Sequence, residues 1–323
     1  MSTRSSGDPV IGAQQTLTTK SGVGPLRIVA KASAPKRHYL EDVSTYQIRN
    51  RILDSNWATF FTAVHKVTGQ VVCVKFLNPK GPLAEGAGSS ASAVWRQQFA
   101  LETRIMRSMD HPNVVRLLAH GSIPGGRLCL VMPYFSSTLS DELGRDITDD
   151  RLIAHLTPEN RPRKIHPVRV LNLIRQIASG VGALHKSGIA HGALNPENVL
   201  MTSTLGGDPV VSEFGKAKWG EKSLDLDTAL LGRSRYESPE QMTDPTHASV
   251  TSDVYAIGAI AYRMLTARMP TESENSVLGA GVDVTEPFSR CIQSCLSQRP
   301  EDRPTNAHAL RAALDDSLST WQA

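Results

Sequence analysis

The sequence predicts an α+β fold in two lobes, a small β-rich lobe followed by a larger helical one. Between Tyr46 and Pro133, short apolar runs are bounded by turn residues, which is typical of β-strands and hairpins. Beyond Pro133 the apolar residues recur at the longer spacing of helices. The chain has 323 residues, 40% hydrophobic and 20% charged, a composition that excludes a chain disordered throughout.

Residues 1–42 are predicted to form a flexible basic arm. The stretch is rich in Ser, Thr, Gly, Pro and Ala, so it buries too little apolar area to offset the entropy of ordering. The first 40 residues hold six Lys and Arg against one Asp, which accounts for the chain's net charge of +4. This basicity therefore does not by itself indicate nucleic-acid binding. The arm is either a solvated extension or a regulatory tail with phosphorylatable Ser and Thr.

The small lobe is predicted over residues 43–132. Its strands are predicted at residues 60–64, 71–77, 114–118 and 128–132. A Thr68-Gly69-Gln70 turn joins the first two strands into a hairpin. Residues 79–92, rich in Gly, Ser and Ala, predict a loop, and a helix is expected over residues 94–109.

A hinge is predicted at residues 133–136, and the large lobe at residues 137–319. Its helices are predicted at residues 168–187, 251–267, 286–297 and 305–318. Residues 144–167 combine three prolines with many charges, which indicates a surface insertion or an irregular helix start.

Cysteine usage and hydropathy indicate a soluble intracellular protein. None of the four cysteines lies in a Cys-x-x-Cys pair, so a disulfide scaffold and a zinc signature are excluded, and Cys291 and Cys295 are expected in the core. No apolar run approaches the roughly 18 residues of a membrane span. The N-terminus lacks the apolar region of a signal peptide. We therefore expect a cytoplasmic location.

A series of short motifs occurs in a defined order along the chain. They are Val-Val-Cys-Val-Lys75, Glu102, His111-Pro112-Asn113, the loop His191 to Leu200, Glu213-Phe214-Gly215, Ser238-Pro239-Glu240, Ser252-Asp253-Val254-Tyr255 and Asp302-Arg303-Pro304. The series resembles the eukaryotic-type Ser/Thr protein kinase domain over about residues 46–318. The resemblance implies a bilobal protein-kinase-like fold.

The resemblance implies a nucleotide pocket with unusual residues. Lys75 and Glu102 correspond to the ion pair that directs an ammonium at the phosphates of ATP, or they form only a salt bridge that steadies the helix. Phe60, Cys73 and Leu200 fall around the adenine position. Phe60 replaces a smaller valine, so its ring would partly fill the pocket unless it turns outward or packs under the sheet.

Several catalytic positions of the family are altered in this chain. The glycine-rich loop that covers phosphates falls on residues 53–58, where no glycine occurs. The aspartate that accepts the hydroxyl proton corresponds to Ala193, and its neighbouring positions to Asn195 and Arg233.

The Mg²⁺ ligands are half retained, as Asn198 and a glutamate, Glu213, in place of aspartate. Gly192 replaces the arginine that would hold a phosphorylated activation loop. The resemblance thus implies a site in which the chemistry is dismantled.

The architectural positions of the family are retained. The resemblance places five residues in a continuous internal spine, Met106, Leu117, His191, Phe214 and Asp253. Glu240 and Arg303 correspond to a buried ion pair. His191 is accordingly predicted to be a packed core histidine rather than an acid–base group.

These observations predict a pseudokinase that binds a protein partner, such as an active kinase, and that requires no cofactor. The alternative is an atypical Ser/Thr kinase of low activity that uses ATP and Mg²⁺, because general-base catalysis is worth less than positioning in phosphoryl transfer. Nucleotidyl transfer on the same scaffold is disfavoured, because no cluster of Lys or Arg occurs near residues 53–58 to hold an inverted nucleotide. Nucleic-acid binding by the arm lacks interleaved aromatic residues.

Overall fold

The computed structural model describes residues 42–55, 58–77, 89–123, 127–147, 150–204, 206–220 and 234–321. The predicted arm up to residue 41, the predicted loop up to residue 88 and Arg233 lie outside these residues. Within them, no helix is both long enough and apolar enough to cross a bilayer.

The small lobe is built on one antiparallel sheet of five strands. They are β1 Tyr46–Asp54, β2 Ala58–His65, β3 Val71–Leu77, β4 Ala119–Ser122 and β5 Leu128–Pro133, in the spatial order β1-β2-β3-β5-β4. The predicted β2–β3 hairpin is confirmed, with Phe60 opposite Lys75. Gly69 in its turn adopts φ 71°, a left-handed conformation that favours glycine.

The predicted strand at residues 114–118 is wrong. The backbone N–H of Val115 donates to the carbonyl oxygen of Val211 at 2.9 Å. The backbone N–H of Val211 donates to the carbonyl oxygen of Asn113 at 2.9 Å. This stretch therefore bonds to the large lobe, and the sheet strand begins only at Ala119. A β-branched run indicates an extended backbone but does not identify the strand beside it.

Helix α1, Ser89–Ser108, lies on one face of the sheet and begins at Ser89 rather than at the predicted Val94. Side chains on a strand alternate between faces, so the sheet contributes to two apolar clusters. Cys73 faces the main core together with Met106 of α1. Val72 and Val74 face a smaller cluster on the opposite side of the sheet.

The large lobe is mainly helical. Its helices are α2 Leu139–Leu143, α3 Pro167–Lys186, α4 Pro239–Thr243, α5 Val250–Thr266, α6 Glu286–Cys295 and α7 Ala307–Trp321. Short strands lie between them, β6 Ser137–Thr138, β7 Ile189–Ala190, β8 Val199–Met201, β9 Pro209–Val211 and β10 Lys218–Trp219. The four predicted helices correspond to α3, α5, α6 and α7, with ends that differ by at most about three residues, as is usual for helix boundaries.

Helix α5 runs through the centre of the large lobe with almost all of its residues buried. A Cβ at Gly258 would lie 2.5 Å from the Cβ of Cys295, so glycine allows α5 and α6 to approach closely. Cys291 and Cys295 are both buried free thiols, which confirms that they are core residues.

The predicted insertion at 144–167 is tied to the core through a buried arginine. Arg263 of α5 is 1% exposed, and its guanidinium donates to Asp146 Oδ1 at 2.6 Å and to the carbonyl oxygens of Leu143 and Arg145 at 3.1 and 3.2 Å. Charge-assisted bonds of this kind satisfy a guanidinium that would be costly to bury alone.

The Glu240–Arg303 pair joins α4 to the segment before α7. Arg303 Nη1 and Nη2 donate to the two carboxylate oxygens of Glu240, both at 2.8 Å. Burial of Glu240 acts to raise its pKa, but hydrogen bonds from Arg303, Ser238 and Ser252 outweigh this effect and lower the pKa to about 2. The pair therefore stabilises the fold when Glu240 is ionised.

We expect acid stability to depend on this pair. Because the folded-state pKa of Glu240 lies below the ordinary value of 4.5, its contribution is complete above about pH 4.5 and is lost as the pH falls towards about 2. Glu240→Gln should lower the free energy of unfolding near neutral pH by up to about 3 kcal/mol and remove this part of the pH dependence. Urea unfolding at a series of pH values measures both effects.

The matched control is Glu286→Gln, which removes an exposed ion pair with Arg290. This variant should unfold like the wild type. Equal acid sensitivity of wild type and Glu240→Gln would contradict the prediction.

Candidate functional site

Lys75 of β3 is held between two carboxylates in the cleft between the lobes. Its Nζ donates to Glu102 Oε1 at 2.8 Å and to Glu213 Oε2 and Oε1 at 3.0 and 3.1 Å. An ammonium carries three N–H donors, so these three contacts match its full donor capacity. Lys75 and Glu102 are 3% and 2% exposed, whereas the side chain of Glu213 is 33% exposed.

Local backbone geometry brings the second carboxylate to the lysine. Glu213 adopts φ 66°, a left-handed conformation that is uncommon for residues other than glycine. The residues after it form a 3₁₀ turn, Phe214–Lys216. Gln98 Nε2 of α1 donates to the carbonyl oxygen of Gly215 at 2.8 Å, so the helix that carries Glu102 is fastened to this turn.

Burial and the neighbouring charges shift the pKa values of the cluster. Burial lowers the pKa of Lys75, but Glu102 and Glu213 outweigh it and raise the pKa above its ordinary value. Burial also raises the pKa of Glu102, opposed by Lys75 and reinforced by Glu213. Burial and Glu213 raise the pKa of Cys73 to about 12. Lys75 is therefore charged at neutral pH, and Cys73 is an unreactive thiol.

The loop that resembles a catalytic loop is closed by its own hydrogen bonds. The side chain of Asn195 accepts from the backbone N–H groups of Glu197 and Asn198 at 2.9 and 3.0 Å. Asn198 Nδ2 donates to the carbonyl oxygen of Ala193 at 2.7 Å. Position 193 itself offers only a methyl group, so it can neither accept nor donate a proton.

Gly192 is required by the backbone of this loop. It adopts φ 73°, and a Cβ there would lie 2.8 Å from the carbonyl oxygen of Lys216. The glycine at the family's arginine position thus allows this backbone conformation and the close approach to Lys216.

Asp253 at the start of α5 fixes the loop from below. Its Oδ2 accepts from the backbone N–H of His191 at 2.7 Å, and its Oδ1 accepts from that of Gly192 at 2.8 Å. His185 Nδ1 accepts from the N–H of Ala307, which leaves its Nε2 to donate to Asp253 Oδ2 at 2.9 Å. All of these groups are held without solvent contact, so Asp253 positions the loop.

His191 lies in the core. It is 0% exposed, its Nε2 lies 2.9 Å from the carbonyl oxygen of Ser212, and its ring packs against Phe214 with centroids 5.5 Å apart. Burial lowers its pKa, opposed by Asp253. Met106 and Leu117 are buried in the same core as Phe214.

The cleft has a volume of about 500 Å³ and is lined by residues of both lobes, including Lys75, Glu213, Ala193 and Asn198. The adenine-position residues Phe60, Cys73 and Leu200 pack into the main apolar core. The centroid of the Phe60 ring lies 5.8 Å from Lys75 Nζ, so the ring is on the cleft face of the sheet rather than turned outward.

Sequence reasoning missed a polar group on the large-lobe side of the cleft. Tyr236 Oη donates to Asp146 Oδ2 at 2.8 Å, while Arg263 holds Oδ1 of the same carboxylate. Burial and Asp146 raise the pKa of Tyr236 above its ordinary value. Arg263 is the only charged residue in the apolar stretch 254–265, and that isolation is the signal from which a buried ion pair was predictable.

A family model described as the protein kinase domain matches residues 47–314. The chain belongs to the protein kinase domain family. The match covers both lobes and every residue of the cleft described above, so the fold and the family agree.

Several bacterial Ser/Thr protein kinases are similar in sequence to this kinase domain. It is 32% identical over 254 residues to pkn2 of Myxococcus xanthus, 26% over 272 residues to a probable kinase, pknA2, of Bifidobacterium longum, and 29% over 262 residues to PkaA of Streptomyces coelicolor. These alignments cover 72%, 84% and 77% of the chain, but 28%, 33% and 44% of the three relatives. The chain therefore spans less than half the length of these curated relatives.

At the positions where the family implies ATP and Mg²⁺, the charged side chains of this cleft are engaged with one another. Asn198 and Glu213 are the residues that would hold Mg²⁺, and both oxygens of Glu213 accept from Lys75. Among the described residues, no group of three or more His, Cys, Asp and Glu is placed to hold a metal ion. The Lys75 ammonium, which would bind the phosphates of ATP, has its donors directed at carboxylates.

We expect the charges of this cluster to depend on one another. Lys75→Met should lower the free energy of unfolding by about 3–5 kcal/mol, because Glu102 would be left as a buried carboxylate without its cation. The double change Lys75→Met with Glu102→Leu should recover most of this loss, since an apolar pair of similar volume replaces the ion pair. Urea unfolding of the three proteins measures the difference.

Lys66→Met, at an exposed lysine of the same lobe, is the control and should cost about 0.5 kcal/mol or less. If the double variant is no more stable than Lys75→Met, the loss of stability in Lys75→Met does not come from leaving Glu102 without its cation.

Proposed function

We propose that this kinase domain is a pseudokinase: it binds a protein partner and does not carry out ordinary phosphoryl transfer. The observation that carries the proposal is the Lys75 ammonium, whose three donors lie 2.8–3.1 Å from carboxylate oxygens of Glu102 and Glu213. A phosphate group would have to displace Glu213 and then lie beside its negative charge. In a buried cluster this repulsion is weakly screened.

Three further features support the proposal. Ala193 has no group to accept the substrate's proton, and Asn195 is engaged in capping a turn. No glycine occurs in residues 53–58, so Cβ atoms would approach any phosphate there. The Phe60 ring lies on the cleft face beside Lys75. Each feature opposes a different requirement of the reaction, namely proton acceptance, phosphate contact and adenine binding.

A partner-binding role follows from what the chain keeps. Asp253 and the Glu240–Arg303 pair stabilise the scaffold without touching a substrate. A rigid bilobal scaffold that binds no nucleotide presents its outer surfaces unchanged whether or not nucleotide is present. An active kinase is one class of partner that such a scaffold would bind.

The second candidate is an atypical Ser/Thr kinase of low activity that uses ATP and Mg²⁺. The Lys75–Glu102 pair at 2.8 Å favours it, because this pair, like Asn198, is a retained part of the family's nucleotide site. Glu213, one-third exposed, would then have to rotate away from Lys75 to meet a metal ion.

Thermal unfolding of the full chain with ATP tests the proposal. We expect no change in Tm at millimolar ATP, with or without Mg²⁺ or Mn²⁺. The variant Phe60→Val with Glu213→Ala should bind ATP, because it empties the adenine position and frees the donors of Lys75. With ATP at about 100-fold its Kd, ligand binding adds about 2.7 kcal/mol, a rise in Tm on the order of 5 °C.

A metal-dependent rise in the Tm of the wild type, abolished in Lys75→Met, would overturn the proposal in favour of the second candidate. Transfer of labelled phosphate to a protein substrate would then be measured on the same two proteins. Equal transfer by wild type and Lys75→Met would identify a contaminating kinase.

A further inference from the structure

A groove on the outer face of α1 is built from elements of both lobes. Its volume is about 570 Å³, and it is lined by Phe99, Ala100, Thr103, Arg104, Arg107, Ser108, His120 and Trp219. The α1 residues recur every three or four positions, so they form one stripe along the helix. The stripe borders the face that carries Glu102 and Met106. Phe99 is buried in the same apolar core as Met106, whereas Arg104 and Arg107 are exposed.

The groove has an apolar floor with a polar atom that lacks a partner. Phe99 is 9% exposed and packs edge-on against His120, with ring centroids 6.3 Å apart. Thr103 is 6% exposed, and its Oγ1 has no hydrogen-bond partner among the described residues. A buried hydroxyl without a partner is costly, so this atom indicates a ligand that supplies an acceptor.

The rim of the groove is positively charged. The guanidinium carbon of Arg104 lies 4.1 Å from the centroid of the Trp219 ring, which is a cation–π contact. Arg107 lies one turn further along α1 and is exposed. In the part of the chain that the structure describes, neither arginine forms an ion pair with a carboxylate.

The surroundings of the groove have the same sign of charge. Within the described residues of 42–133 there are nine Lys and Arg against four Asp and Glu. Burial and Arg107 lower the pKa of His120, so the floor of the groove is uncharged at neutral pH. An apolar pocket with two guanidinium groups on its rim, one of them held over an indole ring, complements an acidic segment that carries an apolar side chain.

We propose that this groove binds an acidic segment of a partner protein, with one aromatic or aliphatic side chain seated on Phe99 and carboxylates on Arg104 and Arg107. The hydroxyl of Thr103 donates to an acceptor of the bound segment. The proposal rests on the partner-binding function above and names the chemistry of the partner. The chain's own N-terminal arm is basic and would be repelled here.

Fluorescence anisotropy with a defined probe tests this site on the full chain. The probe is a short fluorescein-labelled peptide of glutamate and aspartate around one central phenylalanine. We expect saturable binding that weakens about tenfold or more in the double variant Arg104→Glu with Arg107→Glu. Replacing the phenylalanine of the probe by alanine should weaken binding by a similar factor.

Arg49→Glu and a lysine version of the probe are the controls for general electrostatics, and Thr103→Val tests the role of the hydroxyl. Arg49→Glu changes the charge of the small lobe at an exposed position on β1 and should leave the affinity unchanged. Thr103→Val keeps the shape of the side chain and should weaken binding about threefold or more through loss of the donor, with thermal unfolding as the check on folding. A lysine version of the probe should not bind.

Absence of saturable binding, or an equal loss in Arg49→Glu, would overturn the proposal. A single-stranded oligonucleotide that competes with the acidic peptide and requires the same arginines would also overturn it, in favour of a general polyanion site. Each titration is repeated with ATP. If ATP raises the Tm and the peptide still binds, the pseudokinase proposal fails and the groove proposal stands. If ATP leaves the Tm unchanged and the peptide does not bind, the groove proposal fails and the pseudokinase proposal stands.

Discussion

One buried ammonium organises the meeting point of the two lobes. Lys75 extends from the sheet into a region where an unpaired cation would cost several kcal/mol, so the elements around it are placed to supply carboxylates. Glu102 comes from α1, and Glu213 comes from the turn after β9. The position of α1, the left-handed backbone of Glu213 and the hydrogen bond from Gln98 to Gly215 all maintain this arrangement. In this arrangement all three donors of the lysine are directed at carboxylate oxygens.

In the large lobe, three buried charged side chains are likewise held by several partners. Asp253 accepts from two backbone N–H groups and from His185, and Arg303 is paired with Glu240. Arg263 donates to Asp146 and to main-chain oxygens of the segment after α2. None of these groups has a free donor or acceptor directed at the cleft. The polar network therefore specifies one packing of the lobe, which is a structural role that needs no substrate.

The contrast between the cleft and the outer face of α1 supports the functional proposal. In the cleft, the Lys75 ammonium is engaged by Glu102 and Glu213, and the position of a general base is a methyl group. On the outer face, the hydroxyl of Thr103 lacks a partner within the described residues, and two arginines have no carboxylate there. Unsatisfied groups are where a ligand gains free energy. A cleft whose lysine is engaged by two carboxylates and a groove with an unpartnered hydroxyl fit the proposed role of a domain that acts by binding proteins.

Local patterns in the sequence predicted the two-lobed fold, the β2–β3 hairpin and the four long helices, and the resemblance to the protein kinase domain implied the Lys75–Glu102 and Glu240–Arg303 pairs. These depend on local periodicity and on short motifs whose order is written along the chain. Tertiary structure alone decided that residues 113–115 bond to Val211, that Glu213 turns towards Lys75, and that Arg263 binds Asp146. These contacts join residues about 100 positions apart or follow from a left-handed backbone conformation, and neither hydropathy nor residue spacing records which distant segments come together.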